Sequence, residues 1–424
     1  MMVENKKTGI FYGWFIVGSS FFISILLGGV VLYGFTAIFE PVSLEQHWSY
    51  TQVSLASSIR SVEAGLLAPL TGWLVDRLGP RRMIFAGGLI VALGLFVVSR
   101  ATSLATFYGG FALIAIGNDC CGMTVMVTAV THWFKRRLGL ASGLTVAGYG
   151  FGGLLIPVMV ALIDSFGWRG AVTVLAIAVL VVVVPLSLLF RHKPEKYGLV
   201  PDGKEEPDKS ISNNLAMGKQ PEVNFSFKQA LKNRSFWLLV IAFAGQNIAL
   251  QAVVVHVMPY STSIGIQRAT ASIIATLIPV TSIFGRISFG WLGDKIKRRW
   301  MVIIAFVLSC LGLLAFASMS GISFWLVVPF LICFGIGYGG INALRPPFAR
   351  EFFGKGNFGI IFGTIIGISS LSGMLGPVLG GLSYDNFHSY TGLWLILAIL
   401  PVISIIAIAL IRPKEVAAAV TTRI

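Results

Sequence analysis

Six ionisable side chains stand inside stretches of this 424-residue chain that are otherwise apolar: Arg60, Glu63, Asp119, His256, Arg286 and Arg345. A charge at the centre of a bilayer costs roughly 2.5–3.5 kcal/mol on insertion scales, so each of them needs a reason. Arg286 lies eight residues before Asp294, with no acid within a helical turn of it. Its guanidinium offers two parallel N–H donors that fit a carboxylate. Arg286 therefore reads as an anchor for an anion; the competing reading is a structural ion pair with Asp119 or Glu63. Arg60 and Glu63 are three residues apart and share a helix face, an arrangement that predicts a self-neutralising pair. Asp119 follows Asn118 and has no basic neighbour in sequence, so it reads as a proton carrier or a substrate contact. Glu63 and His256 are further candidates to carry a proton. His256, whose ring titrates in the useful range, reads either as a hydrogen-bonded structural group or as a site residue. It is offset by about 140° from Gln251, so Asn247, Gln251 and His256 do not share one face. Arg345, just ahead of Pro346 and Pro347, is expected to be structural and to snorkel.

The elements that must position these groups are membrane spans. With 56% hydrophobic residues, 12% charged residues and a mean hydropathy of +0.84, the composition excludes an ordinary soluble domain. Twelve apolar runs, each able to cross a hydrocarbon core of roughly 30 Å, are read near 11–39, 50–76, 83–101, 104–133, 138–164, 168–190, 235–263, 268–293, 300–319, 323–349, 357–385 and 389–411. The sequence pI of 9.9 does not indicate nucleic acid. Lys and Arg gather in alternate loops, among them Lys6, Lys7, Arg77, Arg81, Arg82, Lys135, Arg136, Arg137, Lys295, Lys297, Arg298, Arg299, Arg350 and Lys355. The other side holds Arg100, Arg169 and Arg268. This bias predicts cytoplasmic termini and a multi-pass protein of the cell, or inner, membrane. No cleavable signal, cofactor motif or metal-ligand spacing is apparent; Cys120, Cys121, Cys310 and Cys333 read as small buried hydrophobes.

The chain also repeats itself. Gly72-Trp73-Leu74-Val75-Asp76-Arg77 returns at an offset of 218 as Gly290-Trp291-Leu292-Gly293-Asp294-Lys295. Gly143, Gly153 and Pro157 return at an offset of 220 as Gly363, Gly373 and Pro377, and Asn118 falls on Tyr338. Asn118 and Tyr338 are thus paired candidates for polar contacts to a small acid. A polar stretch over 192–234 separates the copies, with Ser226 placed to cap a short helix. The expected fold is all-α: two pseudo-symmetric six-helix bundles, 1–191 and 235–424, joined by a cytoplasmic linker. The repeated phrase reads as a conformational latch at the membrane surface, built from Asp76, Arg77, Arg81, Asp294, Lys295 and Arg298 as a charge network. The glycine cluster Gly148, Gly150, Gly152 and Gly153 reads as close packing or as a bending element.

The phrase Gly72-x-x-x-Asp76-Arg77-x-Gly79-x-Arg81-Arg82, its weaker copy and the paired halves resemble the major facilitator superfamily over nearly the whole chain. Tyr12-Gly13-Trp14 and the stretch from Trp133 to Gly148 resemble the branch of proton-coupled monocarboxylate transporters and oxalate–formate antiporters. The resemblance implies that Arg286 binds the substrate carboxylate. Likeness to bacterial lactate transporters implies a substrate contact for His256. The first-span lysine of animal relatives is missing, with Tyr33 in the matching stretch. Ser282 replaces the acid one turn before the arginine, and Ile365 stands where oxalate antiporters have a lysine. One cationic anchor suits a monocarboxylate. The expected function is secondary active transport of lactate- or pyruvate-like anions with a proton, by a monomer embedded in lipid. The alternatives are oxalate–formate-type exchange and, in another class, a membrane sensor or scaffold. An enzyme is not expected.

Overall fold

The computed structural model describes residues 11–134, 137–192, 194–197, 199–200, 225–319, 324–353 and 358–411. Ten helical stretches in it are long and apolar enough to cross a membrane. One of these, Leu140–Ser187, is two spans, because Gly167 turns the chain at a φ of 70° that only glycine adopts readily. A further 29-residue helix, Tyr50–Leu78, is too polar to be counted among the ten. Together they make the twelve expected spans.

In the N-terminal half, α1 (Gly13–Leu27), a π-helical turn (Gly28–Tyr33) and α2 (Phe35–Gln46) form the first span; α3 (Tyr50–Leu78) and α4 (Pro80–Ser99) follow. Next come α5 (Leu104–Cys121) with α6 (Met123–Trp133), then α7 (Leu138–Phe151), a 3-10 turn (Gly152–Leu154) and α8 (Leu155–Ser187). The C-terminal half holds α10 (Arg234–Ser263), α11 (Arg268–Lys295), α12 (Arg298–Ala317), α13 (Val327–Phe353), α14 (Phe358–Ser372) with α15 (Leu375–Phe387), and α16 (Thr391–Leu410). Ahead of it stands α9 (Phe227–Lys232), with the capping box expected at Ser226 closed by Gln229. The rest of the linker, residues 201–224, lies outside the described residues, as do Lys6, Lys7, Lys135, Arg136 and Lys355.

Lipid tails are as apolar as leucine, so close packing and hydrogen bonds hold these helices together rather than water exclusion. The glycine cluster serves close packing. A Cβ on Gly148 would lie 2.6 Å from the Phe21 carbonyl oxygen, so this glycine lets α7 touch the backbone of α1. The same helix then tightens at Gly152–Leu154, and the eleventh span breaks at the matching Gly373.

The two halves meet tightly at one end of the molecule. There the Asp385 carboxylate of α15 accepts the Tyr50 and Thr51 amide hydrogens at 2.9 and 2.8 Å, capping the positive end of α3. The matched contact joins Asp164 of α8 to Arg268 at the start of α11 at 2.9 Å. Thr262 donates to Glu40 at 3.2 Å, and Arg268 also donates to the Ala37 carbonyl. A single apolar core runs through both halves here, whereas a second core around Phe243, Phe306 and Phe348 belongs to the C-terminal half alone.

The opposite end carries Arg77, Arg81, Arg82, Lys295, Lys297 and Arg350, all exposed. Glycines on the matched spans face open space there: a Cβ at Gly143, Gly363 or Gly367 would meet nothing within 4 Å. Arg298, Pro346, Pro347, Arg350 and Glu351 line a cavity of about 540 Å³ at this basic end. At the level of Tyr33, Thr36, Val254 and Ala275 the seam holds only about 10 Å³, room for one water. The protein is closed at one end and open toward the basic one.

Candidate functional site

At mid-depth α11 and α13 cross closely because glycines line the crossing; a Cβ at Gly339 would lie 3.0 Å from the Arg286 amide nitrogen. The crossing brings Arg286 Cζ to 5.9 Å from the Tyr338 ring centroid. Tyr33 of the π-helical turn interacts electrostatically with Tyr338 and stands in the field of both Arg286 and Arg60. The Arg286 Nε is buried without a hydrogen-bond partner. Among the described residues no carboxylate pairs with it, so the structural ion pair with Asp119 or Glu63 is not formed. A guanidinium held at the seam with a bare N–H can take a carboxylate from outside the chain.

The expected Arg60–Glu63 pair is also not formed. Arg60 instead donates to the Val31 carbonyl and to Gln251 Oε1, the latter at 3.4 Å, while Gln251 approaches Ser61 at 3.5 Å. The physical reason is the π-helical turn: its wider winding leaves a carbonyl within reach of the guanidinium. Both Glu63 carboxyl oxygens and Asp119 Oδ2 are left buried and unpartnered. α3 and α5 run parallel, with Tyr108 donating to the Gln52 carbonyl at 2.8 Å. Eleven residues further along each helix stand Glu63 and Asp119, which act on each other electrostatically. Asn118 is half-buried beside Asp119 on the N-terminal half, and its repeat-mate Tyr338 stands on the C-terminal half beside Arg286.

His256 is placed elsewhere. It is fully buried at the closed end, with Nδ1 3.2 Å from the Tyr390 hydroxyl and Nε2 2.9 Å from the Pro377 carbonyl and 3.3 Å from Ser54 Oγ. Its ring also lies 5.1 Å from that of Phe39. Both ring nitrogens are engaged in a four-helix junction that includes both halves. Arg345 is half-buried. Its Nε and Nη2 are buried without partners, its Cζ is 5.2 Å from the Phe243 ring, and Tyr338 acts electrostatically on it. Packing of α13 against its neighbours keeps those nitrogens from the surface.

The side chains of Asp76 and Asp294 lie outside the described residues, so the latch network is seen only through its cations. Arg77 stacks over Trp73 at 4.3 Å and Lys295 over Trp291 at 3.7 Å, the same i,i+4 contact in both copies of the phrase. Arg298 Nη1 reaches Glu351 at 3.9 Å, and Arg81 is exposed. Sequence reasoning missed Tyr33 and Gln251 as parts of the site. The signal for Tyr33 was its place in the stretch that matches the first-span lysine of animal monocarboxylate transporters.

Twelve spans in two matched halves, packed together at one end and carrying a cavity at the other, have the architecture of a membrane transporter. The sequence profile of the Major Facilitator Superfamily matches residues 21–267 and again 247–423, and the chain belongs to that family. Human monocarboxylate transporter 12 is 27% identical over 404 residues, covering 91% of this chain and 77% of the relative. Human monocarboxylate transporter 2 is 24% identical over 388 residues, 89% of this chain and 81% of the relative. Among solved structures, an inward-facing, unoccupied bacterial homologue of the human lysosomal transporter Spinster superposes with a TM-score of 0.70 at 16% identity, over 97% of this chain and 95% of that one. The nucleoside transporter NupG does so with a TM-score of 0.73 at 13% identity, over 94% and 99%.

Proposed function

We propose that this chain carries small monocarboxylate anions of the lactate and pyruvate type, each with a proton, by alternating access between its two halves. The observation that carries the reading is Arg286: a guanidinium at the seam with a buried, unpartnered N–H and two tyrosines beside it. The relatives named monocarboxylate transporters support the same substrate class. Arg286 holds the carboxylate by its fork, and Tyr338 and Tyr33 offer hydroxyls to a substituent on the neighbouring carbon. Asn118 and His256 remain proposed substrate contacts, His256 only once the closed end has opened and released its present partners. Glu63 and Asp119, adjacent and unpartnered, take the proton, which cancels the substrate charge during the crossing.

The basic end faces the cytoplasm of the cell or inner membrane by the positive-inside rule, so the form described is inward-facing and both termini are cytoplasmic. Residues 1–191 and 235–424 rock as two bodies about the linker 192–234, and a monomer suffices. The repeated phrase latches the basic end when it closes.

The test is uptake of labelled lactate, formate and oxalate into proteoliposomes as a function of pH, for wild type and Arg286→Gln. Symport acidifies the lumen without internal substrate; exchange of the oxalate–formate kind requires an internal anion; a sensor or scaffold binds without flux. Wild-type vesicles that move none of the three acids, at any pH gradient, overturn the proposal.

A further inference from the structure

We propose that Arg345 is a second carboxylate-binding position, on the basic side of Arg286, at which the anion pauses on its way between the open end and the centre. The inference rests on the monocarboxylate reading above. Arg345 lies seven residues beyond Tyr338 on α13, about 10 Å along a helix that rises 1.5 Å per residue. Tyr338 interacts with both guanidiniums: Arg286 Cζ stands 5.9 Å from its ring, and Tyr338 acts electrostatically on Arg345. The residues that follow Arg345 without a break, Pro346 and Pro347, already belong to the wall of the cavity of about 540 Å³, whose other lining residues include Arg298 and Arg350. Glu351 also lines this cavity and lies 3.9 Å from Arg298, so Arg350 and Arg345 are the cations that mark the way from the basic end toward the centre.

The side chain itself lacks any internal explanation. Nε and Nη2 are buried with no hydrogen-bond partner, and the nearest ring is Phe243, an apolar core residue. Among the described residues no carboxylate pairs with Arg345. Arg345 is half-buried, and leaving two of its guanidinium nitrogens buried and unpaired is costly; an anion bound part of the time reduces that cost.

The test compares Arg345→Gln, Arg345→Lys and Arg345→Met with wild type in proteoliposomes, using labelled lactate for uptake kinetics and for equilibrium binding to the purified, monodisperse protein. Expected for Arg345→Gln is a rise of about tenfold in the KM of uptake, with equilibrium affinity at Arg286 changed by less than about threefold. Arg345→Lys restores most of the loss, because a transient station needs the charge more than the fork. Arg345→Met, which keeps the apolar stem, behaves as Arg345→Gln and covers the case in which the glutamine variant does not fold. Uptake by either neutral variant with wild-type KM and maximal rate overturns the second position. If Arg286→Gln abolishes uptake while the Arg345 variants are unchanged, only this inference falls; if Arg286→Gln is also unchanged, the assignment of the anion site falls with it.

Discussion

The two halves share a scaffold and differ in the charge they bring to the seam. Laid over each other at an offset of 218, Arg286 falls on Ala68, while Arg60 and Glu63 fall on Ile278 and Thr281. The N-terminal half presents two carboxyls with buried, unpartnered oxygens, Glu63 and Asp119, while its half-buried Arg60 is already tied to Val31 and Gln251. The C-terminal half presents two guanidiniums with unpartnered N–H groups, Arg286 and Arg345. Duplication supplied one helix arrangement twice, and substitution at a few seam positions made one copy acidic and the other basic. In the proposed symport this divides the work: one half holds the anion, the other the proton.

Removing the anion side should have the largest effect. Arg286→Gln is expected to lower lactate uptake by about 100-fold or more, the scale of losing a charge-assisted bidentate contact. Arg286→Lys keeps the charge but not the fork, and is expected to fall between the two. Initial-rate uptake in vesicles measures both, and wild-type rates in either variant break the division at its first term. The acid side is tested by Glu63→Gln and Asp119→Asn. Each is expected to retain exchange of lactate across the membrane but to lose uphill accumulation driven by a proton gradient. Uptake by wild type should fall as external pH is raised, and this dependence should flatten in the double variant. Accumulation that persists in the double variant would place the proton elsewhere, with His256 the next candidate.

The comparison also shows where sequence was sufficient. Span number, the paired halves, the capped helix after Ser226 and the isolation of Arg286 all follow from local apolar length, repeat spacing and absence of nearby acids. These properties are linear along the chain. The Arg60–Glu63 pairing failed because helical spacing says which side chains are able to meet, not which competing partner a neighbouring helix offers. The π-helical turn at Gly28–Tyr33 supplied that partner. Arg345 shows a similar limit: its distance from the basic end is short along the helix, but two of its nitrogens are buried. The polar character of α3, which makes it the least membrane-like span, is itself a product of position. Ser54, Ser57, Ser58 and Ser61 are all buried, and α3 packs against α14 and α15 of the other half rather than facing lipid alone.

A second pairing, at the closed end, should give a smaller effect and a graded one. Asp385 caps α3 through two backbone amides, and Asp164 meets Arg268 at the matched place in the other half. The second pair is the weaker, because the Asp164 side chain is 57% exposed, and such pairs contribute under about 1 kcal/mol. Hydrogen bonds to a charged group contribute about 1.5–3 kcal/mol each. Asp385→Asn is therefore expected to shift the population toward the form open at this end by more than Asp164→Asn does. Distances between spin labels placed across the closed end report the shift. Equal shifts for the two substitutions would mean that the helix terminus contributes nothing beyond an ordinary surface charge.

The smallest expected effect concerns the matched glycines. Gly148 lets α7 touch α1, where a Cβ would lie 2.6 Å from the Phe21 carbonyl oxygen, while Gly143, on the same helix near the basic end, has nothing within 4 Å. Gly148→Ala forces two backbones apart and should cost about 1–3 kcal/mol, lowering the Tm of the purified protein. Gly143→Ala should leave the Tm unchanged or slightly raised, since alanine favours the helix by up to about 1 kcal/mol over glycine. The same substitution bears on transport differently. If α7 and α14 approach other helices at their basic ends when that end closes, Gly143→Ala and Gly363→Ala should slow turnover without moving the Tm. A normal turnover number for both would indicate that closure at the basic end leaves these two glycines still facing open space, and that the two ends of each span do not close by equivalent contacts.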